Sequence, residues 1–220
     1  MDPLPCGLIA FRHAPVPLSG VCYGRLDVAA ELSAEAAAAA IERALVDLCL
    51  RPRAVWSSPL SRCAAPAAEL AARLGAPHVV DERLLEIAYG TWEGRAWSDI
   101  ERDDPIAYAA WLDGWERVGP PGGESALEVE ARVRSFWRAL GATSGAFSAP
   151  GTSGTSGTSG DVVDPAGARP HLLVAHAGVL RALRVVACGA SWIEAMSAPA
   201  PHLAPERFPL PAPALSLAAP

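Results

Sequence analysis

Residues 7–14 contain the segment Gly-Leu-Ile-Ala-Phe-Arg-His-Ala, in which a short apolar run ends at the polar side chains of Arg12 and His13. An apolar run of this length is typical of a buried strand. After a loop rich in proline and glycine, Ser33 is a suitable N-cap for an alanine-rich helix that we expect to extend to about Leu48. The segment therefore predicts a strand whose carboxyl end presents Arg12 and His13.

The alternation of strand and helix continues along the chain. Residues 54–56 predict a second buried strand, and the next helix is expected to be capped by Ser58, to begin at Pro59 and to end at Gly75. Residues 77–80 predict a short third strand. This alternation predicts an α/β fold, a three-layer α/β/α sandwich with a mostly parallel central sheet.

Two more elements are predicted in the second half of the chain. Ser125 and Glu128 have the spacing of a capping box and open an amphipathic helix. Residues 171–175 return as a buried strand that ends at His176, and a helix from Gly178 follows.

We expect one domain over residues 1–190, because a chain of 220 residues that is 51% hydrophobic can form a single core. Within it, residues 90–122 are rich in aromatic residues and predict a helical and loop excursion that forms a lid. Residues 141–170 carry tandem Gly-Thr-Ser units, which indicate a flexible insertion. Residues 191–220 are a Pro- and Ala-rich tail, for which we expect extended or irregular structure with at most a weak terminal strand.

The composition argues against several classes of protein. A net charge of -6 argues against a general nucleic-acid binder or a membrane-surface binder. No apolar stretch reaches the roughly 20 residues of a membrane span, and no basic region precedes the first apolar run as in a secretory signal. The 5 cysteines are odd in number and widely spaced, which favours reduced thiols. We therefore expect a cytoplasmic protein with no nucleic-acid or membrane partner.

Three polar side chains follow predicted strands: His13, His176, and Arg62 in the first turn of a helix. Ligands bind at this carboxyl edge in open α/β sheets. Together with Arg12, these side chains supply two guanidinium groups and two imidazoles. This combination indicates a phosphate site, because a guanidinium group can bind a phosphate through two hydrogen bonds. We expect no metal and no cofactor, since these side chains already supply positive charge and the sequence shows no carboxylate cluster for magnesium.

Four segments resemble the histidine phosphatase (phosphoglycerate-mutase-like) superfamily, in the family's order over about residues 7–140 and 171–188. They are Arg12-His13-Ala14, Ser58-Pro59-Leu60-Ser61-Arg62, Leu84-Leu85-Glu86 with Tyr89-Gly90-Thr91-Trp92-Glu93-Gly94, and Val174-Ala175-His176-Ala177-Gly178. Within the superfamily the chain is most similar to the alpha-ribazole phosphatase branch, which acts in cobalamin biosynthesis. The segments that carry this narrower resemblance are residues 22–27, 59–63, 92–97 and 120–125.

The resemblance implies a phosphomonoester hydrolase that forms a covalent phosphohistidine on His13. It also implies that Arg12, Arg62 and His176 hold the phosphoryl oxygens and stabilise their charge in the transition state. Glu86 would protonate the leaving oxygen, and its apolar neighbours would partly desolvate it and favour the protonated carboxyl.

Some residues have more than one interpretation. Arg25 is a candidate substrate contact, although an arginine in a turn is an equally good interpretation. Glu93 is the rival acid to Glu86. The other histidines are interpreted as structural or solvated; they are His78, His171 and His202.

Three positions depart from the family pattern. Ala14 and Ala177 stand where glycine is common. Pro66 lies inside the helix that carries Arg62, where it removes a hydrogen bond to the carbonyl of residue 62 and clashes with it. We therefore expect a kink between Arg62 and Pro66, which would displace the arginine.

Two other functions stay open beside the phosphatase. One is a phosphoglycerate mutase, and the other is a non-catalytic protein that binds a phosphorylated ligand. His13 is followed by Ala-Pro-Val-Pro-Leu and not by the longer motif of the mutases, which favours the phosphatase. The expected partner is a small phosphomonoester; its identity and the oligomeric state are not predicted.

Overall fold

A computed structural model of the chain describes residues 6–143 and 169–209, which include a five-stranded sheet. The strands are β1 (Cys6–Arg12), β2 (Ala54–Ser57), β3 (His78–Val80), β4 (His171–Ala175) and β5 (Pro205–Pro209). Their order in the sheet is β3-β2-β4-β1-β5, and all neighbours are parallel except β5, which pairs antiparallel with β1. The predicted α/β fold with a mostly parallel sheet is confirmed.

Helices lie on both faces of this sheet. They are α1 (Ala34–Asp47), α2 (Ser61–Leu74), α3 (Trp97–Asp103), α4 (Pro105–Gly114), α5 (Ala126–Thr143), α6 (Ala177–Cys188) and α7 (Trp192–Ser197), with 3-10 turns at Glu82–Leu84 and Gly90–Trp92. In β1, Leu8 and Ala10 pack with α5 and α6, while Ile9 and Phe11 pack with α1 and α2. Successive side chains of a strand point to opposite faces, so one apolar strand contributes to both cores of the three-layer sandwich.

The capping predictions are only partly right. Ser33 caps α1, and Ser125 with Glu128 forms the predicted capping interactions before α5. The prediction that Ser58 caps α2 is wrong, because the helix begins at Ser61 and its N-cap is Leu60, which makes no side-chain cap bond. The Ser58 hydroxyl instead contacts His176, which directly follows the neighbouring strand β4.

Pro66 does not interrupt α2. The helix continues from Ser61 to Leu74, and Pro66 is buried against the core. Arg62, whose displacement we expected from a kink, lies in the first turn with only 2% of its surface exposed. The arginine therefore remains directed into the molecule.

Helix α7 and strand β5 lie within residues 191–220, where at most a weak terminal strand was expected. β5 pairs with β1 over the register Leu8–Phe208 to Phe11–Pro205, and Phe208 is buried. The chain between α7 and β5 passes the carboxyl end of β1, where His202 forms a bridge with Arg12. Residues 144–168, which include the Gly-Thr-Ser units, and residues 210–220 lie outside the described part.

The aromatic segment 90–122 contains α3 and α4, as the predicted helical excursion requires. Its rings pack on each other, and Trp97 and Trp111 are stacked with 5.6 Å between their centroids. Trp92 is fully buried beneath them. In residues 6–143 and 169–209, no helix is long and apolar enough to cross a membrane.

Candidate active site

His13 directly follows β1 and is 2% exposed. Its Nδ1 lies 2.6 Å from the carbonyl oxygen of Ala14. A carbonyl can only accept a hydrogen bond, so we assign the proton to Nδ1, which leaves the lone pair on Nε2. Burial lowers the pKa of His13 to about 3, with further lowering by Arg62 and Arg12 that the Ala14 bond opposes. The side chain is therefore a neutral imidazole at physiological pH, with a nucleophilic Nε2.

His176 follows β4 and is fully buried beside His13, with 5.2 Å between the ring centroids. Its Nε2 lies 2.8 Å from the Ser58 hydroxyl, which explains why Ser58 does not cap α2. Burial, and then the nearby Arg62, hold the pKa of His176 well below its ordinary value. The strand ends thus bring together two neutral imidazoles.

Two arginines flank this pair. Arg12 donates through Nη1 to the carbonyl oxygen of Ala200 at 3.0 Å. Arg62 donates to the carbonyl oxygens of Leu26 and Gly24 at 2.8 and 2.6 Å. The Nε of each arginine is buried and has no hydrogen-bond partner among the described residues. A buried donor without a partner is costly, and a phosphoryl oxygen between the arginines would satisfy both.

Glu86 is half-buried in the segment between the two 3-10 turns, and its carboxylate reaches the first turn of α6. Its carboxylate accepts hydrogen bonds from the backbone N–H of Ile87 at 2.9 Å and of Gly178 at 3.1 Å. A Cβ on Gly178 would stand 2.2 Å from Oε1, so this position requires glycine for the carboxylate to reach it. The surroundings differ from the apolar ones that we expected, because backbone donors hold the carboxylate and Leu84 is buried in the core.

Glu93 has a different role from Glu86. Its two carboxylate oxygens accept hydrogen bonds from the backbone N–H groups of Gly24, Arg25, Leu26 and Tyr89, at 2.8 to 3.1 Å. The same loop offers its carbonyl oxygens to Arg62. Glu93 therefore anchors the loop that holds Arg62.

Arg25 makes contacts that fit a loop arginine. Its Nη2 forms an ion pair with Glu124 at 2.9 Å, and its Nε lies 3.4 Å from the backbone oxygen of Glu86. The side chain is 40% exposed. It thus lies at the rim of the site, close to the backbone of the candidate acid.

Two residues that sequence reasoning missed belong to this site. His202 packs against His13 with 5.3 Å between ring centroids, and its Nδ1 lies 2.5 Å from the His13 carbonyl oxygen. Arg132 of α5 donates to the carbonyl oxygens of Arg83 and Leu85, so it positions the segment that leads to Glu86. His202 carried no signal in its Pro-rich context, and Arg132 looked like one surface arginine among several on an amphipathic helix.

No group of three or more histidine, cysteine, aspartate or glutamate side chains within residues 6–143 and 169–209 is arranged to hold a metal ion. The positive charge of the site comes from guanidinium groups. This arrangement suits direct arginine recognition of a phosphoryl group.

Comparison with known proteins decides the family. The sequence profile of the histidine phosphatase superfamily (branch 1) matches residues 8–147. A glucosyl-3-phosphoglycerate phosphatase of Mycobacterium tuberculosis is 36% identical over 180 residues, which cover 80% of this chain and 72% of that protein. The chain belongs to the histidine phosphatase superfamily.

Solved structures agree with membership of the histidine phosphatase superfamily. A mycobacterial glucosyl-3-phosphoglycerate phosphatase superposes with a TM-score of 0.68 at 28% identity, covering 86% of this chain and 82% of the other. The alpha-ribazole phosphatase from Shigella flexneri has a TM-score of 0.67 at 22% identity, covering 86% and 83% of the two chains, a likeness of fold.

A shorter match covers a small part of a larger protein. A bifunctional protein of Mycobacterium tuberculosis is 41% identical over 81 residues, which are 37% of this chain. The match spans only 22% of that protein's length.

In this member of the histidine phosphatase superfamily, Gly178→Ala is expected to separate substrates by their leaving group. The new Cβ would displace the Glu86 carboxylate. An alkyl phosphate, which needs a proton on its leaving oxygen, should lose about 10²-fold in kcat/KM. p-Nitrophenyl phosphate should lose much less, because p-nitrophenolate leaves without a proton. Steady-state hydrolysis of both esters measures the difference.

Glu86→Gln is the comparison variant, because it keeps the size of the side chain and removes the transferable proton. It should show the same dependence on the leaving group as Gly178→Ala. An equal loss on both esters in either variant would contradict the role of Glu86 as the acid.

Proposed function

We propose that this chain is a phosphomonoester hydrolase that acts through a covalent phosphohistidine on His13. The observation that carries the proposal is the state of His13: a buried, neutral imidazole whose Nδ1 is bound to the Ala14 carbonyl, with Nε2 left to attack. Its position beside the two buried arginine Nε groups supports the same reaction.

The reaction has two displacements at phosphorus. In the first, Nε2 of His13 forms a bond to phosphorus as the bond to the alcohol oxygen breaks, and that oxygen takes a proton from the Glu86 carboxyl. In the second, water attacks phosphorus, the bond to Nε2 breaks, and the proton from water returns to Glu86. Inorganic phosphate and free enzyme result.

Charge on the transferred group is stabilised by its neighbours. Arg12 and Arg62 supply guanidinium donors, and the neutral His176 supplies a ring N–H once it turns from Ser58 to a phosphoryl oxygen. The loop carbonyls of Gly24 and Leu26 keep Arg62 in place before substrate binds. Such prepositioned donors need little rearrangement during the reaction.

Two substrates are candidates. The segments 22–27 and 120–125 favour alpha-ribazole-5'-phosphate. The relative that is 36% identical over 180 residues is named for glucosyl-3-phosphoglycerate, which favours a phosphorylated sugar acid. We rank glucosyl-3-phosphoglycerate ahead of alpha-ribazole-5'-phosphate, because the alpha-ribazole phosphatase structure is only 22% identical to this chain.

The experiment is phosphate release from a panel that contains both candidates, 3-phosphoglycerate and nucleoside monophosphates. Hydrolysis of one phosphomonoester well above the rest supports the proposal and names the substrate class. Transfer of the phosphoryl group between carbons of phosphoglycerate would identify a mutase. Binding of these esters without any phosphate release, including from p-nitrophenyl phosphate, would leave only a phospholigand-binding protein and overturn the proposal.

A further inference from the structure

A cavity of about 260 Å³ lies next to the phosphate site, on the side of Glu86. Ile87 and Gly178 line it, and the backbone N–H groups of these two residues are the ones that hold the Glu86 carboxylate. The cavity therefore begins where the leaving oxygen of a phosphomonoester would receive its proton.

The walls of the cavity include three tryptophans and Tyr89 among aliphatic side chains. Trp111 belongs to α4 and Trp115 follows it, while Trp192 opens α7 on the other side. Trp115 and Trp192 contact each other edge to face, with 6.0 Å between centroids. Flat indole faces fixed by neighbouring rings bind the face of another ring well.

One charged side chain, Arg181, interrupts this wall. It lies on α6, three residues after Gly178 on the same face of the helix, and its Nε is buried without a partner among the described residues. Arg181 lies near enough to Glu86 and Arg12 for both charges to act on it. Burial lowers the pKa of Arg181, because the charged form is desolvated there. A bound anion would relieve that cost.

We propose that this cavity binds the alcohol half of the substrate, and that this half is a single ring-sized body carrying a carboxylate that pairs with Arg181. The size of the cavity supports one ring: benzene fits an apolar cavity of about 150 Å³, so about 260 Å³ holds a ring with substituents. The proposal rests on the phosphatase function proposed above and narrows its substrate class to a carboxylated ring alcohol.

The test compares three synthetic esters that differ only in the alcohol: ethyl phosphate, benzyl phosphate, and benzyl phosphate with a carboxylate at the meta position. Wild-type kcat/KM should rise in that order, with about a 10- to 100-fold gain for the carboxylate. Arg181→Met, which keeps an apolar stem, should remove the gain for the carboxylate. Trp111→Ala should reduce the gain of benzyl over ethyl phosphate.

The control is Arg138→Met, on the exposed side of α5, which should keep the wild-type order and size of the gains. Equal kcat/KM for the three esters in the wild type would overturn the inference and leave the phosphatase function intact. A uniform loss on all three esters in Arg181→Met would do the same.

A binding measurement separates the two proposals. Meta-(hydroxymethyl)benzoate, which has no phosphate, should quench the tryptophan fluorescence of the wild type and bind about 10- to 100-fold more weakly to Arg181→Met. Quenching that is equal in the two proteins, or absent from the wild type, would overturn the inference. Specific binding by a protein that hydrolyses no phosphomonoester would instead overturn the phosphatase proposal on which this inference rests.

Discussion

His13→Ala is expected to lower kcat for p-nitrophenyl phosphate by at least about 10⁴-fold, which is the scale of losing a catalytic nucleophile. The neighbouring His176 is not a ready substitute, because its Nε2 is engaged by the Ser58 hydroxyl. The fold should persist, since the removed ring is small and its backbone N–H still donates to the Ala175 carbonyl. Phosphate release measured against time is the assay.

His78→Ala is the matched control. This histidine lies on β3 and its Nε2 contacts the Ser57 hydroxyl, away from the phosphate arginines. Its removal should leave turnover close to that of the wild type. If His13→Ala retained wild-type turnover, the nucleophile would have to be another residue.

The free energy of unfolding is expected to fall steeply as the pH drops from 7.5 to 5. The chain has 5 histidines, and the pKa of each is lowered in the folded protein: to about 3 for His13, to about 4 for His171, and well below the ordinary value for His176. Between those values and 6.5 the unfolded chain binds more protons than the folded chain, so acid favours unfolding.

The size of the effect follows from the three histidines that are at most 2% exposed, His13, His171 and His176. Each of these histidines lowers the free energy of unfolding by about 1.4 kcal/mol for every pH unit below 6.5, or by about 2 kcal/mol at pH 5. The sum is a large part of the stability of a typical domain. Urea unfolding at several pH values measures it.

The loss of stability that the histidines cause can be distinguished from the loss that carboxylates cause. Groups such as Asp81, whose pKa is lowered, lose their contribution only at more acidic pH. The variant His13→Ala should show a shallower dependence, by about one proton, between pH 5 and 6. A free energy of unfolding that is constant over that range would contradict the neutral, buried state of these side chains.

The sequence was sufficient where local pattern decides structure. The apolar run before Arg12 and His13 predicted β1, and His176 was correctly placed after a second buried strand. Ordering these strands in parallel brings their carboxyl ends to one edge, so His13, His176 and Arg62 could be expected to meet there.

Hydrogen bonds between residues that are far apart in the chain could not be predicted from the sequence. Ser58 before proline looks like a helix cap, but a histidine 118 residues further along the chain binds its hydroxyl. His202 contacts His13 across 189 residues because the chain returns beside β1 before β5. Neither contact has a local signature, since each depends on which strands become neighbours.

The different surroundings of the two candidate acids could not be predicted from the sequence. Glu86 and Glu93 are both loop carboxylates in the sequence, and only their backbone partners distinguish them. Four backbone N–H groups bind Glu93, whereas Glu86 lies on the border between the histidines and the aromatic cavity. Arg181 was likewise inconspicuous on its helix until the cavity beside it was seen.

The most direct test of the account is to identify the phosphorylated residue during turnover. The wild type is mixed with p-nitrophenyl phosphate and quenched in alkali within the first turnovers. This ester is chosen because p-nitrophenolate leaves rapidly, which favours accumulation of the phosphorylated intermediate. Peptide mass spectrometry should place an alkali-stable, acid-labile phosphate on His13. Phosphate on any other residue, or its persistence in His13→Ala, would contradict the account.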